Sequence, residues 1–134
     1  MKAARALPGL GLALILAGCV SAPEPAPAAA PSGLAELLER PGERALVEGM
    51  RAYDEGQYAQ AEGALRKALS AGLVSLRDRA SAHKFLAFIT CTSERLAECE
   101  QQFRAAKAAD PGFALNRSEA GHPLWGPVYR KQLP

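Results

Sequence analysis

Three cysteines and two histidines are the residues of this chain whose chemistry goes beyond charge and packing. Cys91 and Cys99 lie four residues on either side of Arg95, about the polar break Thr92–Arg95 that separates two helical runs. Antiparallel helices joined there bring residues equidistant from the turn together. A bridge between these thiols is therefore expected in an oxidising compartment, with two buried free thiols as the alternative. A metal centre would have to combine them with His83 or His122, and no tight C-x-x-C pair is present, so no metal is expected. His83 shares a helix with Phe85 and Leu86 and suits a structural or surface role. His122 precedes Pro123 in a turn, where a local hydrogen bond is expected. No Ser-His-Asp or Cys-His arrangement can be read, no Gly-rich phosphate loop follows a strand, and no carboxylate pair is set apart by its surroundings. Glu36/Glu39 and Glu98/Glu100 read as solvated helix charges. The expectation is a protein that is not an enzyme, with no cofactor and no small-molecule substrate.

The third cysteine sits in a different context. Residues 1–19 read MKAARALPGLGLALILAGC. Lys2 and Arg5 form a basic start, Ala6 to Ala17 is a short apolar run, and Leu16-Ala17-Gly18-Cys19 matches the bacterial lipobox. Small residues before the cysteine fit a narrow peptidase cleft, and the Cys19 thiol accepts the lipid. Residues 1–18 are thus expected to be a lipoprotein signal peptide, and Cys19 the lipidation site. An uncleaved anchor or an ordinary secretory signal is the alternative, but the apolar run is short for a spanning helix and contains Pro8 and Gly9. Several acyl chains on one cysteine anchor stably, each buried methylene contributing roughly 0.8 kcal/mol. Val20 follows where an Asp would resemble an inner-membrane retention signal. The expected location is therefore the periplasmic face of the outer membrane of a two-membrane bacterium, an oxidising setting that favours the Cys91–Cys99 bridge.

These residues must be carried by a small domain on a tether. Without Lys2 and Arg5, the remaining cations and anions of the 134-residue chain balance. No clustered basic face is legible, so no nucleic-acid partner is expected. Residues 19–32 hold the lipidated cysteine and a Pro/Ala-rich linker, SAPEPAPAAAPS. Such a linker favours extended polyproline segments at roughly 3.1 Å per residue, enough to hold a domain about 35–40 Å from a bilayer. Residues 33–134 form the domain. Aromatic content of 6 % with abundant alanine favours close-packed helices over a sheet.

Helical spacing predicts a short helix from Ser32 to Glu39, broken by Arg40-Pro41-Gly42, then helices over about Glu43–Glu55 and Tyr58–Ala71, stopped by Gly72. A second pair carries Phe85, Leu86, Phe88 and Ile89, then Leu96, Cys99, Phe103 and Ala106, ended by Asp110-Pro111. The two pairs align with each other: Gly49 with Ala87, Ala61 with Cys99, Leu65 with Phe103, and Ala68 with Ala106. Small residues at these points let the helices of a hairpin approach closely, while larger ones fill the space between hairpins. The second pair is offset by four residues more than a 34-residue repeat, which places a longer connection or an extra helical turn at Val74–Arg79. Residues 42–111 resemble the tetratricopeptide repeat family. The departures are Glu48 at a usually apolar place, Glu94 where the family has Gly, and no Pro after the first repeat. The fold class expected is all-α: two tetratricopeptide-like hairpins plus short flanking helices.

Beyond Pro111, Phe113 and Leu115 are expected to pack back on the second hairpin. Asn116 or Ser118 is placed to cap a short turn near Gly121, and the stretch from Pro123 to Arg130 to form a last short helix. Terminal repeats need a cover, so Trp125 is expected as a lid on the core, with partner docking by Trp125 and Tyr129 as the alternative. The lipobox, the Pro-rich tether, AHKFLAFITC, the second cysteine before FRAAKAADPGFAL, and EAGHPLWGPVYR together resemble the TssQ-type lipoproteins associated with bacterial type VI secretion. That resemblance implies an accessory envelope role without chemistry, in contact with other proteins of a secretion or envelope complex and with a membrane through the lipid. A pilotin-like lipoprotein assisting a secretin and a general envelope scaffold are the alternatives. In tetratricopeptide hairpins the first helix of each pair lines a concave face. The candidate partner-binding residues are accordingly Leu46, Met50 and Tyr53, with Lys84, Phe88 and Cys91, the alternative being that a flanking segment covers them.

Overall fold

A computed structural model describes residue 33 and residues 39–132. The expected signal peptide and linker, Cys19 as the expected lipidation site, and the interior of the expected 32–39 helix lie outside the described residues. Among the described residues every regular element is helical, and no strand occurs. Four helices form two hairpins: α1 (Pro41–Asp54) with α2 (Tyr58–Ala71), and α3 (Leu76–Thr92) with α4 (Leu96–Ala109). Two short helices follow, α5 (Arg117–Ala120) and α6 (Gly126–Arg130).

The first boundary differs from the sequence expectation. The break is confined to Arg40, whose backbone is extended (φ −89°, ψ 122°); Pro41-Gly42 already opens α1, with Pro41 in the first turn, where its missing N–H costs nothing and its fixed φ suits a helix. Gly42 is there because the end of α2 crosses it closely: a Cβ on Gly42 would collide with the Gly72 carbonyl oxygen. The insertion at Val74–Arg79 is an extra helical turn. Ser75 caps α3, its Oγ accepting the Asp78 N–H at 3.2 Å, and α3 runs 17 residues against 14 for α1.

The aligned positions of the repeats all face inward. Ala61, Leu65, Ala68, Cys99 and Ala106 are wholly buried, Phe103 nearly so, and Gly49 and Ala87 are buried opposite them. At Gly49 an added Cβ would come 2.8 Å from Leu65 Cγ, so glycine is what lets α1 and α2 approach. The turns repeat as well. Gln57 N–H donates to Ala52 O at 2.8 Å, and Arg95 N–H donates to Thr90 O at 2.8 Å, 38 positions on (52 to 90). The left-handed residue closing each turn is Gly56 (φ 75°) in the first and Glu94 (φ 60°) in the second. The core divides accordingly. One cluster centres on Leu46, Leu65, Leu86 and Ile89; the other joins Phe88, Cys91, Cys99 and Phe103 to Leu115, Trp125, Val128 and Tyr129 of the C-terminal segment.

Candidate functional site

The concave side of α1 and α3 is where a partner was expected, and the C-terminal segment occupies its α3 half. Asn116 starts α5 with a reciprocal cap: its Oδ1 accepts the Glu119 N–H at 2.9 Å, and Glu119 Oε2 accepts the Asn116 N–H at 3.1 Å. The cap fixes Glu119 so that its other oxygen, Oε1, receives Lys84 Nζ of α3 at 2.7 Å. Glu119 also offers its backbone carbonyl to Trp125 Nε1 at 2.9 Å, which satisfies the one polar atom of a buried indole. With its edge held, the Trp125 ring lies on Phe88, centroids 4.2 Å apart and planes 21° from parallel, and His122 stacks on its ring at 3.3 Å. His122 Nδ1 accepts the Leu124 N–H at 3.2 Å, the kind of local bond the turn required. Gly126 is demanded by closeness, since a Cβ there would lie 2.5 Å from the Ala120 carbonyl oxygen. Tyr129 completes the cover: its hydroxyl accepts the Leu115 N–H at 3.1 Å and its ring meets Phe103 at 5.3 Å.

Most of the candidate binding residues are therefore interior. Phe88, Cys91, Leu46, Trp125 and Tyr129 are all buried, so these five present no free docking surface. The reason is the size of the array. With two hairpins, an open α3 face would leave Phe88 in water, and the chain covers it with its own aromatics. Cys91 is further committed to a disulfide with Cys99, their Cα atoms 5.1 Å apart across the α3–α4 turn. Lys84 is half-buried, spent on Glu119 and lying over Phe85 at 4.9 Å from the ring centroid. Met50 and Tyr53 remain part-exposed on the α1 half, joined by Phe85 and by the exposed Tyr58. Tyr53 meets Phe85 at 5.0 Å and Tyr58 at 5.4 Å, so these rings form one apolar shelf beside the cover. Burial, reinforced by Tyr58, Asp54 and Glu119, pushes the Tyr53 hydroxyl pKa above its ordinary value. Phe85 and Tyr58 were not among the expected site residues; helical spacing alone cannot separate the inward Phe88 from the rim residue Phe85.

Glu98 is not the solvated charge expected from sequence. Its carboxylate meets both Arg66 and Arg95, and Glu62 meets the same two guanidiniums. Arg95 Nη2 donates to Glu62 Oε2 at 2.6 Å, and Arg66 Nη2 donates to Glu62 Oε1 at 2.8 Å. Arg95, helped by Arg66, holds the Glu62 carboxyl down at about 2 against the burial that opposes it. This joins α2 of the first hairpin to the turn and first helical turn of the second. His83 has a structural partner as well, its Nδ1–H donating to the buried Gln102 Oε1 at 2.7 Å.

Among the described residues no group of His, Cys, Asp and Glu is arranged to hold a metal ion, and no helix is long and apolar enough to cross a membrane. No protein-family model, curated protein or solved structure matches this chain.

Proposed function

We propose that this chain is a lipid-anchored protein–protein interaction module at the periplasmic face of an outer membrane, accessory to a type VI secretion apparatus. The observation that carries the anchoring is Leu16-Ala17-Gly18-Cys19 at the end of a basic-then-apolar leader, followed at once by a Pro-rich tether. The oxidised Cys91–Cys99 pair supports an oxidising compartment. The secretion role rests on the resemblance of nearly the whole expected mature chain, and chiefly of the string from Glu119 to Val128, to TssQ-type lipoproteins. In the structure that string lies in the cover, with Trp125 and Tyr129 facing inward. Its distinctiveness is thus a packing signature, and the contact surface left to a partner is the Met50–Tyr53–Phe85 shelf.

Two measurements test this reading. Radiolabelled palmitate should enter the protein and be lost in Cys19→Ala; unlabelled wild type would overturn the anchor. Affinity capture from cross-linked envelopes should recover baseplate or membrane-complex proteins of the secretion apparatus, and Met50→Glu should lose them with helix content intact. Recovery of a secretin instead would favour the pilotin-like alternative, and recovery of nothing specific the general scaffold.

A further inference from the structure

Arg51 and Lys84, the cations on the helices that carry the Met50–Tyr53–Phe85 shelf, are both matched within the chain, Arg51 with Glu55 and Lys84 with Glu119. One acid beside the shelf is not. Asp54 is exposed next to Tyr53, and its carboxylate makes no ion pair or hydrogen bond among the described residues. Its place offers no local reason for an acid. Asp54 is the last residue of α1, where the unpaired carbonyls already carry about half a negative charge, so a carboxylate there opposes the helix and a cation is favoured. The Tyr53 hydroxyl feels the same field. Burial pushes its pKa up first, and the titratable groups that act with burial, Tyr58, Asp54 and Glu119, are all acids, with no cation opposing them.

The rings add a second attraction for positive charge. Tyr53 is the middle of three, with Phe85 centred 5.0 Å away at 65° to it and Tyr58 5.4 Å away at 60°. A ring face attracts a cation through its quadrupole, more strongly where burial thins the water. The chain uses this once itself, since Lys84 Nζ lies 4.9 Å from the Phe85 centroid. Tyr53 and Tyr58 carry no cation among the described residues, and neither hydroxyl has a hydrogen-bond partner there. Tyr58 is 46 % exposed, so the place beside it is open. Two rings without a cation, two phenol oxygens without a donor and one carboxylate without a counter-charge thus lie together at the end of α1.

We propose that the shelf receives an arginine side chain of its protein partner, the guanidinium lying against Tyr53 and Tyr58 with its N–H groups donating to Asp54 and the phenol oxygens. Arginine fits better than lysine. Its planar, weakly hydrated head stacks on a ring while the donors along its edge stay free for a carboxylate, whereas an ammonium is compact and strongly hydrated. Apolar residues flanking the arginine meet Met50 and Phe85. The inference rests on the reading of the shelf as the contact surface, and names the chemistry that docks there.

The test uses the full chain recovered from cells in detergent, isotope-labelled so that its backbone amides can be followed by NMR. The probes are short end-capped peptides of sequence Ala-Leu-Arg-Leu-Ala, and the same frame with lysine, glutamine or glutamate in place of arginine. The arginine peptide should shift the Tyr53, Asp54 and Tyr58 amides and bind several-fold more tightly than the glutamine peptide, with lysine between them and glutamate weakest. Asp54→Asn should remove most of the preference for arginine over glutamine while leaving the glutamine peptide's own binding unchanged, and raised salt should act the same way. Tyr58→Leu, at an exposed position, should weaken the arginine peptide more than the glutamine one. Helix content checks that each variant keeps the fold. Arginine and glutamine peptides that bind equally at the shelf, and are both lost in Met50→Glu, overturn this inference and keep the shelf as a docking surface. Arginine binding that survives Met50→Glu yet is lost in Asp54→Asn keeps the arginine site and overturns the apolar contact. Shifts with none of the peptides, or only away from Tyr53, Asp54 and Tyr58, overturn both.

Discussion

Trp125 lies flat over Phe88, ring centroids 4.2 Å apart, and by doing so turns what would be the floor of a binding groove into the centre of a core. The indole N–H is satisfied by the Glu119 carbonyl, so covering Phe88 leaves no polar atom stranded. The stack ties a C-terminal segment with little helix of its own to the second hairpin.

Trp125→Ala should destabilise the domain by about 3 kcal/mol, at the lower end for a large aromatic lost from a core because one side of the site opens to solvent. Trp125→Phe should retain most of the stability while losing the Glu119 hydrogen bond. Urea unfolding followed by circular dichroism measures both, and equal losses for the two variants would show that the hydrogen bond, not the stack, holds the cover.

Reduction of the Cys91–Cys99 bridge should raise the intact mass by 2 Da, the mass of two hydrogens. It should also lower stability by about 2–3 kcal/mol, as expected when a bridge closes a loop of sequence separation 8. Because Cys91 shares a cluster with Phe88 and Trp125, the Trp125 emission should shift on reduction as well. A chain that shows no mass change with reductant contradicts the bridge.

Glu94→Gly should stabilise the protein, by up to about 1 kcal/mol. The left-handed backbone at Glu94 costs a side-chain-bearing residue about 1–2 kcal/mol, against roughly 0.5–1 kcal/mol of unfolded-state entropy that glycine brings. Thermal unfolding should show a higher midpoint; Gly56→Ala, at the equivalent turn, should show the reverse.

Glu62 makes stability depend on acid. Its folded pKa of about 2 lies below the ordinary 4.5, so its ion pairs contribute fully above about 4.5 and are lost as pH falls toward 2. The wild type should therefore lose about 1 kcal/mol more over that window than Glu62→Gln, a modest figure because the partners are partly in water. Urea midpoints at several pH values compare the two; parallel curves would remove Glu62 from the acid response.

The hairpins could be read from sequence because the contacts that build them are local and periodic. Gly49 with Ala87, Ala61 with Cys99, Leu65 with Phe103 and Ala68 with Ala106 recur in order, and all eight are buried. The Cys91–Cys99 pairing was legible for the same reason, as two positions symmetric about one turn. The break before α1 was legible from Pro41, but its extent was not, because Pro-Gly reads equally as the end of a break and as a first helical turn. Glu94 gave no sign of its left-handed turn except by alignment with Gly56. The fate of Phe88 was hidden for a different reason. Its spacing marks it as inward, yet whether inward means groove or core depends on Trp125, 37 residues on (88 to 125), and no local pattern carries that. The pairing of Glu62 with Arg95 is hidden likewise, since partners from different hairpins share no period.

The four charges Glu62, Arg95, Glu98 and Arg66 alternate in sign and close on themselves, each touching two of the others. A closed circuit has no weak end. Two of its contacts, Glu62–Arg95 and Arg66–Glu98, cross between the hairpins, so either can open to admit water and re-form while the other keeps the two hairpins in register. The junction between the repeats is thus built to breathe without slipping, a redundancy that a single pair of the same total strength would lack.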